Sequence, residues 1–231
     1  MGRDWYFSLK STKDHPFNNK GQPRGKGLFD IIDENLIAQK KLGVNGGLLV
    51  CFNPMGKYHV YSFFNSVEEF CKYEQMLYPD DRCFFEVIIG PQKMKFDIDI
   101  DTKSAEGSIL SEIGPQLRDE VIVRTIEAYR ELGVFLEYKN IIVHDSHIIY
   151  GDDGKSSYST SKRSYHIMVD GYFHSGHLQT REMSRKIMSK MMHKYKHLID
   201  ISVYKSIQQF RIQGSRKYGS GRPKIPSGFS I

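Results

Sequence analysis

The spacing of apolar residues along this chain switches between a period of two and a period near 3.6, and the switches outline its elements. LLVCF (48–52) is a short apolar run that predicts a strand. Asn53-Pro54-Met55-Gly56 then turns the chain into a partner strand within KYHVYSFF (57–64), making a hairpin. Ser66 followed by Glu69 is a capping box that opens a helix to about Leu77, with Val67, Phe70, Tyr73 and Leu77 on one face. CFFEVIIG (83–90) predicts a buried strand. The turn formers Gly90-Pro91-Gln92 predict that KMKFDIDI pairs with it as its neighbour. Ile109 to Leu132 reads as a long amphipathic helix stopped by Gly133. Its apolar stripe is Ile113, Leu117, Val121, Ile122, Thr125, Ile126, Tyr129 and Leu132. NIIVHDS (140–146) and SYHIMVDGYF (164–173) predict strands, with the polar loop GDDGKSSYSTSK (151–162) between them. A second helix, basic on its outer face, is expected from about Leu178 to Leu198, with Met188, Met191 and Met192 as core filler. A linker, DISVYKSIQ (200–208), leads to the strand FRIQGS (210–215).

The ends are less periodic. STKDHPFNNKGQPRGKG (11–27) is polar, basic and rich in turn formers, a loop or a mobile arm. FDIIDENLIAQKKLG (29–43) predicts a short helix, with Asp30 or Asp33 near its start and Gly43 as its stop. Residues 217–231 have no period and read as a flexible tail. Strands and two long helices mix without regular βαβ alternation and without internal repeats, which makes the fold class α+β. The expected organisation is one domain over 1–231, with an N-terminal arm and helix (1–47), a core (48–217) and a tail (218–231).

Within this pattern the stretch KMKFDIDID (93–101) is exceptional. Phe96, Ile98 and Ile100 alternate with Asp97, Asp99 and Asp101, so a strand carries three carboxylates on one face. Acidic residues are poor strand formers, and like charges on one face repel. The row is either the solvated face of an edge strand or a site that holds something positive, a divalent metal above all.

Charge sharpens the second alternative. Residues 51–153 carry 10 Lys/Arg against 19 Asp/Glu, a balance of −9, whereas residues 154–231 carry 15 against 3, a balance of +12. An acidic middle and a basic end allow metals on one wall of a cleft and phosphates on the other, and basic surface attracts nucleic acid. The three cysteines are widely spaced and odd in number, which points to a reducing, intracellular compartment rather than to a disulfide framework or a zinc site. No apolar run approaches the ~20 residues of a membrane span, and MGRDWYFSLK lacks a secretory h-region.

Two further clusters complete the candidate chemistry. Lys162, Ser164 and His166 alternate along one strand face, a cation, a hydroxyl and an imidazole suited to cradling phosphate. The alternative for His166 is a core histidine. Asp200, Arg211 and Lys217 form the third cluster, for which a helix cap and solvated cations are the alternatives. No GxSxG elbow, phosphate-binding lysine loop, GxGxxG or HExxH is present. Carboxylates for metal and basic groups for phosphate suit nucleotidyl transfer, and equally a metal-dependent nuclease.

The order of these motifs resembles that of the archaeo-eukaryotic primase superfamily. Its three motifs read here as FDIDID (96–101), SKRSYHIM (161–168) and DISVYKSIQQFRIQGSRK (200–217). Upstream, HVYSFF, SVEEFCKYEQ and CFFEVI resemble the matching stretch of primase-polymerases and of the N-terminal primase domain of poxvirus-type and giant-virus primase-helicases. The likeness covers roughly Lys57 to Lys217. It implies an RRM-like mixed catalytic sheet flanked by long helices. It implies two divalent ions, Mg²⁺ or Mn²⁺, on Asp97, Asp99 and Asp200, and an NTP or dNTP triphosphate on Lys162, Ser164, His166, Arg211 and Lys217. Asp101 receives no role from it. A single-stranded DNA template and a replicative helicase are the partners it implies, at a viral replication site in the nucleus or cytoplasm of a host cell. The chain is then either a single-domain protein or a fragment of a longer primase-helicase. A nucleic-acid-binding module without catalysis is the remaining alternative.

Overall fold

The computed structural model describes residues 3–41, 46–91, 95–101, 110–147, 162–220 and 222–227, with the backbone alone at 38, 95–97, 99–101, 110–111 and 162. The chain divides into two compact units. One comprises Met1–Ile89 and Gln209–Gly221, the other Gly90–Gln208 and Arg222–Ile231. Each unit has one antiparallel sheet, so the class is α+β as expected.

The first unit holds helix α1 (Glu34–Lys41), strands β1 (Leu48–Phe52) and β2 (Val60–Phe64), helix α2 (Val67–Gln75) and strand β3 (Phe84–Ile89). Asp33 caps α1, its Oδ1 accepting the N–H groups of Asn35 (2.7 Å) and Leu36 (3.3 Å). β1 and β2 form the expected hairpin, Leu48 opposite Phe64 and Phe52 opposite Val60. Ser66 Oγ accepts the Glu69 N–H at 3.1 Å, as the capping box requires, while Glu69 Oε2 reaches one residue further back to the Asn65 N–H. Phe70 is buried, but Val67, at the first helical position, is 51% exposed and lies off the packed face. An aromatic core fills this unit: Phe84 stacks on Phe52 (4.7 Å), meets Phe70 edge-on (5.3 Å), and lies near Trp5 and Tyr73.

Segment 11–27 is a fixed loop rather than a mobile arm. The Asp30 carboxylate accepts from Ser11 Oγ (2.7 Å), the Thr12 N–H (2.8 Å) and the Gly27 N–H (2.7 Å), gathering both ends of the loop. A Cβ on Gly27 would lie 2.0 Å from the Lys10 carbonyl oxygen, so only glycine allows this approach.

The second unit contains strand β4 (Lys95–Asp101), helix α3 (Leu110–Arg130), strands β5 (Ile141–Asp145) and β6 (Lys162–Val169), helix α4 (His177–Ser189) and the short strand β7 (Ile199–Asp200). Strand β8 (Ile207–Arg211) joins the first sheet, in the order β2-β1-β3-β8, and β9 (Ile225–Pro226) closes the second, in the order β7-β4-β6-β5-β9. The pairing of β3 with β4 does not occur. Both edges of β3 are taken by β1 and β8, so after Gly90 (φ +75°) the chain enters the other sheet. The second sheet is antiparallel at β7–β4, β4–β6, β6–β5 and β5–β9 rather than mixed. Part of the aperiodic C-terminal segment, Ile225–Pro226, serves as its outer strand.

One face of this sheet is the core. Ile98, Val143, Tyr165, Ile167, Val169 and Ile199 pack with Ile113, Leu117, Val121, Ile122 and Ile126 of α3 and with Met183 and Ile187 of α4. Leu132 lies beyond α3 and is 61% exposed. α4 ends at Ser189, nine residues before the expected stop, because Glu120 of α3 captures the N–H groups of Met192 (2.7 Å) and His193 (3.0 Å). That turn buries Met191 and leaves Met192 85% exposed. Loop 151–161, the expected stop at Gly43 and residues 228–231 lie outside the described residues.

Candidate active site

The second sheet aligns three distant motifs. β4 is flanked by β6 and β7, so the acidic strand is internal to the sheet and not its edge. On the β6 side Asp97 stands opposite His166, Asp99 opposite Ser164, and Asp101 opposite Lys162. On the β7 side Asp97 stands opposite Asp200. Directly opposed residues of an antiparallel ladder share a face, and i, i+2 positions on one strand share it too. All seven positions therefore fall on one sheet face, the reverse of the face that carries Ile98, Tyr165 and Ile167 in the core.

Sequence reasoning placed Asp200 after a helix end. In the structure it follows a single 3-10 turn and sits on β7, hydrogen-bonded into the sheet beside Asp97. Its Oδ1 accepts the Ser202 N–H at 2.7 Å, an Asx turn that holds the carboxylate at the point where the strand ends. Asp200 itself is exposed. Ser164 and His166 are 3% and 7% exposed, so they are part of a buried polar face and not solvated decoration. The backbone alone locates Asp97, Asp99, Asp101 and Lys162, whose side chains are outside the described residues.

Arg211 and Lys217 belong to the first unit. Arg211 ends β8 and is 7% exposed, and Lys217 follows the Gly214 turn (φ +82°) and is exposed.

The polar row extends further than the motifs indicate. His144 of β5 stands opposite His166, and the Ser146 N–H donates to the Ser164 carbonyl at 3.0 Å. His144 and Ser146 are 5% and 1% exposed. Along one line the sheet therefore runs Asp200, Asp97, His166, His144. Alternation in IIVHDS would have paired His144 with Ser146, but only strand pairing shows that they continue the row.

Asp97, Asp99 and Asp200 offer hard carboxylate oxygens from two adjacent strands, and like charges at directly opposed positions are unfavourable without a counter-charge. That donor set fits Mg²⁺ or Mn²⁺, and fits poorly any metal that prefers sulfur or nitrogen.

No family model matches this chain. Over 169 residues, 72% of its length, it is 25% identical to a protein of African swine fever virus isolate Pig/Kenya/KEN-50/1950 named "Putative helicase/primase complex protein". A protein of the same name from strain Badajoz 1971 Vero-adapted is 25% identical over 180 residues. The chain spans only 16% and 17% of these two relatives, and no helix among its described residues is long and apolar enough to cross a membrane.

Proposed function

We propose that this chain is a primase-polymerase catalytic domain that joins nucleotides on a single-stranded DNA template. The observation that carries the reading is the strand register. Three motifs spread over more than a hundred residues meet on consecutive rungs of one sheet face, carboxylates on β4 and β7 beside the Lys-x-Ser-x-His row of β6. The name carried by the African swine fever virus relatives supports a role in DNA replication and priming, and supports a helicase as partner.

In this proposal Asp97, Asp99 and Asp200 hold two divalent cations, Mg²⁺ or Mn²⁺, which when bound favour the deprotonated attacking oxygen and offset charge on the leaving oxygen. Lys162, Ser164 and His166 orient the triphosphate of an NTP or dNTP by charge and hydrogen bonding. The 3′-hydroxyl oxygen of a primer, or of a first nucleotide, forms a bond to the α-phosphorus. The bond from that phosphorus to the bridging oxygen breaks, pyrophosphate leaves with the electron pair, and the hydroxyl proton passes to solvent. The short Asx turn at Asp200 keeps one carboxylate at a strand end.

The test is template-dependent synthesis on single-stranded DNA with NTPs or dNTPs and with Mg²⁺ or Mn²⁺. Wild type is expected to lengthen or create a strand. Asp200→Ala is expected to lose at least ~100-fold of this activity while single-stranded DNA binding survives. Shortening of labelled DNA without added nucleotides would instead identify a nuclease using the same carboxylates. Binding without incorporation under any condition would identify a non-catalytic module.

A further inference from the structure

The first unit holds two aromatic rings in water at a fixed place. Phe7 is 73% exposed and Tyr58 41% exposed, and their rings adjoin at 5.5 Å between centroids, tilted by 52°. The backbone around Phe7 is tied on both sides. Tyr6 exchanges two backbone hydrogen bonds with Tyr61 of β2 (2.9 and 2.8 Å), and the Ser8 carbonyl accepts the Leu28 N–H at 2.9 Å. Tyr58 lies just ahead of β2. A single exposed phenylalanine is ordinary. The surroundings of this one are not.

Phe7 lines a cleft of about 530 Å³ together with Ser8, Asn19, Lys20, Gln22 and Arg24. Pro16 to Arg24 fold back as a hairpin, the Asn18 N–H donating to the Gln22 carbonyl (2.9 Å) and the Arg24 N–H to the Pro16 carbonyl (2.8 Å). Arg24 ties this hairpin to the segment that carries Phe7: its Nη1 donates to Ser8 Oγ at 2.9 Å and its Nη2 to the Phe17 carbonyl at 3.4 Å. Those bonds commit Arg24 to the fold, and what it adds to the cleft is charge. Lys20 differs. It is exposed in the hairpin turn and, among the described residues, its ammonium makes no hydrogen bond and no ion pair. Among the described residues, no carboxylate lines the cleft. Residues 8–27 carry five Lys/Arg against one Asp, a balance of +4.

We propose that Phe7, Tyr58 and the Lys20 hairpin form a platform for single-stranded nucleic acid. An unpaired base stacks on Phe7, a neighbouring base meets Tyr58, and a backbone phosphate enters the cleft against the Lys20 ammonium, in the field of Arg24. Exposed aromatic faces beside a positive groove suit unpaired bases of any sequence, because every base has a π face and a duplex hides its own. Two adjoining rings favour successive bases of a strand over a lone nucleotide. Rings held in place by fixed backbone lose little freedom on binding. The platform uses neither the acidic row nor a metal, so it goes beyond the nucleotidyl-transfer reading and stands if that reading fails.

Binding of a labelled oligothymidylate to the full chain, in EDTA and without nucleotides, tests the platform apart from catalysis. Phe7 and Lys20 are exposed, so Phe7→Ala and Lys20→Gln should keep the wild-type thermal midpoint. Phe7→Ala is expected to weaken strand binding roughly tenfold, the scale of one lost base stack. Phe7→Trp should retain it, and affinity for a duplex of the same length should change little. Phe135→Ala, which removes a 76% exposed ring from the second unit, is the control. Lys20→Gln is expected to lower the logarithmic salt slope by about 0.7, one phosphate contact on a single strand. Arg185→Gln, exposed on α4, is the matching control for charge and should leave the slope unchanged. Failure of wild type to bind the strand, equal behaviour of Phe7→Ala and Phe135→Ala, or competition by thymidine monophosphate at the affinity of the strand would overturn the platform.

Discussion

The two sheets of this protein solve different problems. In the first, Leu49, Val50 and Cys51 are consecutive and all fully buried, so β1 is apolar on both faces, and Phe84 packs among Trp5, Phe52, Phe70 and Tyr73. In the second, one face is equally apolar, against α3 and α4, while the other buries His144, Ser146, Ser164 and His166. Buried polar side chains add less to stability than apolar ones of the same size and demand hydrogen-bond partners. The first sheet is therefore organised by packing. The second surrenders part of its packing to hold polar side chains in register, with α3 and α4 supplying stability from behind.

Truncating packed atoms in the first sheet should have the largest effect. Phe84→Ala is expected to cost about 3–5 kcal/mol, read by urea unfolding together with faster amide exchange in β1 and β3. A loss below about 1 kcal/mol would mean that this aromatic cluster does not organise the unit. The core face of the second sheet should respond next. A Cβ on Gly114 of α3 would lie 2.9 Å from Cε2 of the buried Tyr165 ring, so overpacking outweighs the helix propensity gained by alanine. Gly114→Ala is expected to destabilise by about 1–3 kcal/mol, again by urea unfolding. A stabilised variant would show that α3 shifts freely on the sheet.

On the polar face the effect should move from stability to function. His166→Ala is expected to raise the nucleotide KM roughly tenfold, the size of one charge-assisted hydrogen bond, in the template-dependent assay. An unchanged KM would remove His166 from the proposed triphosphate site.

The smallest contrast is in acid. Burial pushes the His147 and His174 imidazoles below their usual range, with Asp145 opposing and nearby arginines reinforcing the shift at His147. The unfolded chain then binds more protons than the folded one as pH falls below about 6.5, so the second unit loses stability there. In the first unit the Asp30 carboxyl is lowered to about 2, chiefly by the Ser11 hydroxyl, with the Gly27 and Thr12 N–H groups assisting against desolvation. Its contribution is complete above about pH 4 and is lost as pH falls toward about 2. Between pH 6.5 and 5, amide exchange in β5 and β6 should accelerate before that of residues 11–30. The reverse order would break the contrast.

Much of the fold was legible along the chain. Strands β1, β2, β5 and β6 and helices α2 and α3 follow local periodicity closely, because each hides one apolar face or a continuous apolar run. The departures come from long-range partners. β3 and β4 do not pair because β8, over a hundred residues downstream, takes the free edge of β3. α4 stops early because Glu120 captures the chain after it. Val67, Leu132 and Met192 fit an apolar pattern yet stand at element ends, where nothing packs on them.

The candidate site divides along the same line. The alternation of FDIDID and the Lys-x-Ser-x-His spacing are intrinsic to the sequence, since a strand's period of two assigns their shared faces without any partner. Their relation to each other is not intrinsic. Register is a property of a pair of strands, and a slip by one residue moves every side chain to the other face. Only the folded sheet set Asp97 between Asp200 and His166 and added His144 to the row.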